Sequence, residues 1–105
     1  MEHKLEYLVY LFEKYRGLVI EDMMQGGIAP ESICNTKDFA DDPIAALHHI
    51  IWMCGNAVKM IHEIENPDDK FYGKMNRWLG FIQCYLIIAG MTTIDAERDA
   101  TRGMF

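Results

Sequence analysis

The chain has 105 residues, half of them apolar and 11% aromatic, and sixteen acidic against ten basic side chains give it a formal net charge of −6. This composition excludes an intrinsically disordered chain and argues against a surface for bulk polyanions. No run approaches the ~18 uncharged apolar residues of a membrane span. The three cysteines form no C-x-x-C motif. We therefore predict one domain over residues 1–105, with no membrane span, in a reducing cytoplasm.

Residues 4–25 form the first predicted helix. Apolar residues recur there with the 3.6-residue period of one helix face, at Leu5, Leu8, Val9, Phe12, Tyr15, Val19 and Met23. Gly26-Gly27 follows directly and predicts the helix end, because glycine readily adopts the left-handed conformation that closes many helices.

A long connection over residues 26–42 is rich in turn-forming residues. It also contains apolar Ile28, Ile33 and Phe39, which indicate that it packs onto the core. Pro30 suits the first position of a helix, so we predict a single helical turn at 30–34.

The second predicted helix covers residues 43–65. It begins with Asp42 as an acidic N-cap and Pro43 at the first helical position, and Asn66-Pro67 ends it. Because the connection to the next helix is only a few residues long, we expect the second and third helices to be antiparallel neighbours.

The third predicted helix, residues 70–90, is the most apolar part of the chain. Its expected buried face consists of Trp78, Phe81, Ile82, Tyr85, Leu86 and Ala89. A helix that is apolar nearly all round is buried on several sides, so we predict that it is the central helix. Cys54 and Cys84 lie within apolar helical patterns and are expected to be buried.

A short fourth helix is predicted at 93–102, after the start signal Thr92-x-x-Asp95. The expected fold class is all-α, a small bundle of three main helices plus a short C-terminal helix. The apolar stripes are wide for a bundle of this size, which predicts a homodimer that buries the excess.

No arrangement of residues indicates catalysis or metal binding. His62 and Glu65 match the i, i+3 spacing of helical ligands only once, and His48 lies fourteen residues from His62, about 21 Å along a helix. We therefore predict a protein that is not an enzyme, with no metal site and no cofactor.

Basic residues Lys70, Lys74 and Arg77 recur at i, i+4 and i+7 on one side of the third helix. One interpretation is a solvated face paired with nearby carboxylates. The other is a pocket for an anion or nucleotide, in which Tyr72 and Trp78 supply stacking faces. Both interpretations remain open at this stage.

The third and fourth helices have the outline of a helix-turn-helix motif. The fourth helix begins Thr-Ile-Asp-Ala-Glu-Arg-Asp, which places acidic side chains where a recognition helix would meet phosphates. Nucleic acid is therefore a weak candidate partner.

Four short motifs mark the second half of the chain: His49-x-x-Trp52-Met53, Lys74-x-x-Arg77-Trp78-Leu79-Gly80-Phe81-Ile82-Gln83, Gly90-x-Thr92-Thr93-Ile94-Asp95 and Arg98-Asp99-x-Thr101-Arg102. Across residues 45–102 they resemble the motifs of a group of small tailed-bacteriophage proteins of uncharacterised function. The chain departs from that pattern at Cys84, where the group has glycine, and at Ala96-Glu97, where the group has an acidic residue directly after the aspartate.

We interpret the motif as fold-stabilising, through His49, Trp52, Trp78, Gly80, Gln83, Asp95 and Arg98. Arg77 and Gln83 are polar groups in a largely apolar helix, so burial would require partners. The last helix offers Asp95, Glu97 and Asp99.

The resemblance implies a biological context. Small phage proteins of this kind often bind and alter a host component, including its defence systems. We therefore expect a non-enzymatic phage accessory protein that binds a host protein in the host cytoplasm, and a small helical binder of an anionic nucleotide is the alternative.

Overall fold

Four helices account for the secondary structure of residues 3–102, the part of the chain that the computed structural model describes. Helix α1 is His3–Gln25, α2 is Pro43–Glu63, α3 is Asp69–Ile88 and α4 is Ile94–Thr101. No strand occurs within these residues, so the all-α prediction is confirmed. The radius of gyration is 13.7 Å, close to the ~13 Å expected for a compact chain of this size.

The sequence signals that begin each helix are visible as hydrogen bonds. The Asp42 carboxylate accepts from the backbone N–H groups of Ile44 and Ala45, and Pro43 follows at the first helical position. Asp68 caps α3 and Thr93 caps α4 in the same way. Each side chain satisfies donors that have no partner within the helix.

The ends of α1 and α3 share one geometry. Gly27 has φ +73° and Gly90 has φ +78°. After α3, the Gly90 N–H donates to the Ile87 carbonyl and the Met91 N–H donates to the Leu86 carbonyl, which is the Schellman arrangement. Both glycines are therefore required by the backbone, and the helix end predicted at Gly26-Gly27 is confirmed.

The predicted helical turn at 30–34 is absent, and that prediction was wrong. The backbone of this segment bonds to α2 instead of to itself: the Ile33 N–H donates to the His48 carbonyl at 3.3 Å, and the Asn35 N–H donates to His49 Nδ1 at 3.0 Å. The connection packs onto the core through half-buried Ile28 and Phe39, as expected, whereas Ile33 is 42% exposed and does not take part.

The core lies mainly between α1 and α2, which form the most extensive helix pair. Nine residues of α2 are buried, whereas α3 buries only Met75, Leu79, Ile82 and Leu86. The prediction that the third helix is central was therefore wrong. Of its expected buried face, only Ile82 and Leu86 are buried, because the helix is turned so that a narrower stripe faces the core.

Burial was predicted for both Cys54 and Cys84, and it is confirmed only for Cys54. Cys54 is fully buried, and burial raises the pKa of its thiol to about 12. Cys84 is exposed, against expectation, because its side of α3 faces away from α1 and α2.

Within residues 3–102, α2 is the one helix long and apolar enough to cross a membrane by length and composition. Of its most apolar window, 61% is buried inside the fold. The core helix of a compact globular protein is buried to a similar extent. The hydropathy of α2 is therefore only weak support for a membrane span.

Candidate functional site

A buried polar network fixes α4 against the rest of the molecule. Glu97 is buried, and its carboxylate accepts hydrogen bonds from the Tyr15 phenol in α1 and from the Thr92 hydroxyl before α4. Gln83 of α3 donates through Nε2 to the Tyr15 oxygen at 2.9 Å. Three helices therefore meet at the Tyr15 hydroxyl, and burial raises the pKa of this phenol, so that it remains a donor.

The partners of Gln83 and Arg77 differ from those expected from the sequence. Glu97 is linked to Gln83 through the hydroxyl of Tyr15, a residue that the periodicity of α1 places on the apolar face. Arg77 is exposed and does not contact the acidic residues of α4. Asp95 and Arg98 face each other at 4.0 Å on the exposed surface of α4, where such a pair contributes little to stability.

The tryptophans and the histidine of the motif form a row of rings across α2 and α3. The His49 ring stacks on Trp52 with centroids 5.5 Å apart, and Trp52 lies 6.0 Å from Trp78. Phe39 from the 26–42 connection packs edge-on against His49. The row holds the connection on the surface of α2, which is a structural role for His49, Trp52 and Trp78.

His49 contributes to this row as a neutral acceptor. Its Nδ1 atom accepts the Asn35 N–H, so the proton of the imidazole is on Nε2. Burial lowers the pKa of His49, which favours the same neutral form.

Three basic side chains line a shallow cavity of about 250 Å³ at the start of α3. They are Lys70, Lys74 and Arg77, and Phe71 and Asp68 complete the lining. None of the three is within 4.0 Å of a carboxylate oxygen among the described residues. Lys70 and Arg77 are exposed, as the first interpretation expects, but the carboxylate pairing that it also expects is absent among the described residues.

The two aromatic residues expected in that pocket lie outside it. Trp78 lies beneath Lys74, with the ammonium 5.5 Å from the ring centroid, and faces Trp52. Tyr72 faces the Lys4 ammonium at 5.6 Å and packs against Phe71. A base held in this cavity would therefore meet the Phe71 ring, and neither expected stacking face lines the cavity.

A second depression, of about 530 Å³, lies between α3 and α4, and we call it the α3–α4 groove. Its walls are mostly apolar and include Gly80, Cys84, Ile87 and Ile88 of α3 with Ile94 and Thr101 of α4. Ile88 is 78% exposed and Ile94 is 60% exposed. The sequence does not reveal this groove, because its pattern predicts that the apolar residues of α3 are buried in the core.

Gly80 is one of the residues that line the groove. A methyl group at this position would have no neighbour within 4 Å, so the packing of the described chain does not require glycine here. Gly80 is the motif residue for which the fold itself supplies no reason.

Neither depression holds a cluster of metal-binding side chains from the described part of the chain. Among residues 3–102, no group of three or more His, Cys, Asp and Glu is placed to hold a metal ion. His62 is exposed near the end of α2, and Glu65 lies beyond that helix. The two surfaces therefore offer charge and apolar area, which are features of binding sites.

Comparison of the chain with protein-family models, with curated proteins and with solved structures gave no match.

Proposed function

We propose that this chain is a non-enzymatic bacteriophage accessory protein that binds a host protein in the cytoplasm of the infected cell. The observation that supports the proposal is the α3–α4 groove, where isoleucines from two helices are left exposed beside a glycine and a cysteine. Exposed apolar area bordered by polar residues is typical of surfaces that bind another protein. The phage-like motif supplies the biological context.

The composition of the groove supports a contact from outside the molecule. A glycine within a helix costs about 1 kcal/mol relative to alanine. Gly80 carries this cost without improving the internal packing, since its Cα faces open space. A glycine at such a position permits close approach of another backbone, which is a property useful to a docking surface.

A pull-down from host lysate tests the proposal. The bait proteins are the wild type, Ile88→Glu in the groove and Ile44→Glu, which changes an exposed isoleucine at the start of α2. We expect one host protein to be retained by the wild type and by Ile44→Glu and to be lost with Ile88→Glu. The absence of any specific partner, or equal retention by all three baits, contradicts the proposal.

The second candidate function is the capture of a small anionic ligand such as a nucleotide. It is favoured by the cavity at the start of α3, where Lys70, Lys74 and Arg77 lack carboxylate partners. Thermal-shift measurements with nucleotides test it. Stabilisation that disappears in Arg77→Ala supports the function, and no shift with any nucleotide removes it.

A DNA-binding regulator is the weakest candidate. The exposed arginines of α4, Arg98 and Arg102, each face an aspartate one turn earlier, at 4.0 and 3.3 Å. Paired in this way, they offer little charge to phosphates. A steep salt-dependent affinity for duplex DNA would be required for this function.

We also propose that the four helices form a bundle of three main helices with a short fourth, and that the chain is a homodimer. Exposed Tyr10 and Met24 of α1, which lie outside the groove, support the dimer. Light scattering tests it: a dimer has twice the 12.2 kDa mass of one chain. A mass of one chain contradicts it.

A further inference from the structure

We infer that the exposed face of α3 binds a single amphipathic helix of the partner protein, acidic along one half and apolar along the other. This inference rests on the proposed function and names the kind of segment that is recognised. The juxtaposition that carries it is the cationic cavity and the α3–α4 groove, which lie end to end along one helix.

One line of residues connects the two depressions. We call it the α3 seam, and it consists of Lys70, Lys74, Arg77, Phe81, Cys84 and Ile88. The spacing alternates between four and three residues, which is the spacing of the contact positions of paired helices. All six side chains are exposed except Lys74, which is half-buried, so the seam is not used by the core. It extends over five turns, roughly 27 Å.

The two halves of the seam differ in chemistry. The first half carries three cations that have no ion-pair partner in the described chain. The second half is apolar, and Phe81 is still 45% exposed although it touches Phe39. A complementary helix therefore needs carboxylates over one half and apolar side chains over the other.

Charge complementarity decides between the possible occupants. A second copy in antiparallel orientation would place the cations of one seam against the apolar half of the other. A parallel copy would place cations against cations, which is repulsive. A small anion would fill only the first half and leave the isoleucines exposed. A foreign helix of mixed acidic and apolar character satisfies both halves at once.

Binding of designed peptides to the full chain tests the inference. The probes are fluorescein-labelled helical peptides of about five turns, with Glu on one half of a heptad seam and Leu on the other, made in both orders. The matched probes carry Lys in place of Glu. We expect one of the acidic peptides to bind at least about tenfold more tightly than its lysine counterpart, and the difference to diminish with added salt.

Variants of the protein assign the binding to the seam. Lys70→Glu with Arg77→Glu is expected to reverse the preference between the acidic and the lysine peptides. Ile88→Glu is expected to weaken binding of both. Lys59→Glu and Ile44→Glu alter an exposed lysine and an exposed isoleucine of α2 and should leave binding unchanged. Circular dichroism confirms that each variant is folded.

Three outcomes would overturn the inference. The acidic and lysine peptides could bind with equal affinity, or Lys59→Glu could change the preference as much as the seam variant does. Alternatively, sedimentation could show a homodimer that Ile88→Glu dissociates, which would make a second copy the occupant of the seam.

The inference and the proposed function can fail separately. One host protein could be retained equally by the wild type and by the Lys70→Glu, Arg77→Glu double variant. This result would be consistent with the proposed function and would contradict the role of the α3 seam. Selective peptide binding without any host partner supports the seam and contradicts the proposed function.

Discussion

The phenol of Tyr15 in α1 donates a hydrogen bond to the carboxylate of Glu97 in α4, 82 residues further along the chain. Both groups are buried. Gln83 completes the contact by donating to the same phenol oxygen. The pair shows that α4 is attached by polar groups in fixed positions, whereas α1 and α2 are joined by apolar packing.

Removing the Tyr15 hydroxyl should destabilise the protein. In Tyr15→Phe the buried Glu97 carboxylate loses a donor and Gln83 loses its acceptor, which costs about 1–3 kcal/mol in the free energy of unfolding. Urea denaturation measures the change. Tyr10→Phe is the control, because Tyr10 is 59% exposed, and equal stability of the two variants would contradict the role of the network.

The stability of the protein should depend on pH through His49. Burial lowers the pKa of His49 in the folded chain, so the unfolded chain binds more protons as the pH falls through the unfolded pKa of about 6.5. The stabilisation is therefore present above about pH 6.5 and is lost progressively below it.

The His49 prediction is tested by urea denaturation at about pH 5 and about pH 7.5. His49→Asn, which retains an acceptor for the Asn35 N–H, should show a smaller difference between the two conditions than the wild type. The exposed residue His62 provides the control, and His62→Asn should behave as the wild type does. An unchanged pH dependence in His49→Asn would contradict the assignment.

Replacing Gly80 within α3 and Gly90 directly after it by alanine should change the free energy of unfolding in opposite directions. Gly80→Ala is expected to stabilise the helix by about 1 kcal/mol, because the new methyl group has no neighbour within 4 Å. Gly90→Ala is expected to cost about 1–2 kcal/mol, because φ is +78° at that position. Thermal unfolding of the two variants measures both effects, and destabilisation by Gly80→Ala would show an internal constraint that the packing does not account for.

The three thiols should differ in reactivity. Cys34 and Cys84 are exposed, and Cys54 is buried with a pKa raised to about 12. A thiol reagent should therefore modify two cysteines in the native protein and the third only after unfolding. Cys84→Ser should reduce the native number to one. If it does not, Cys84 is buried as the sequence pattern had predicted.

The helix ends could be predicted well because their signals are local. Asp42-Pro43, Gly27 and Gly90 each act within a few residues, through a cap or a left-handed backbone conformation. The α3 seam shows where local signals fail. Apolar periodicity alone does not reveal which side of a helix faces its neighbours, and it therefore predicts a buried Phe81, which is 45% exposed.

The Tyr15–Glu97 contact was beyond prediction for a different reason. Tyr15 fits the apolar stripe of α1. The position of a tyrosine in such a stripe predicts that its ring is buried, but it does not identify the hydrogen-bond partner of its hydroxyl. The same applies to the hydrogen bond between Asn35 and His49, since a backbone donor carries no sequence signature. Hydrogen bonds between residues far apart in the sequence can be identified only from the three-dimensional arrangement of the helices.

The eight residues of α4 include one buried side chain, and it is the Glu97 carboxylate. A helix attached in this way opens at lower free energy than the apolar pair α1 and α2, so its amide hydrogens should exchange first. Because α4 forms one wall of the α3–α4 groove, the groove exists only during the time that α4 is docked. The lifetime of the binding surface is thus set by the hydrogen bonds that hold α4 in place, and two residues of that network, Gln83 and Glu97, themselves line the groove.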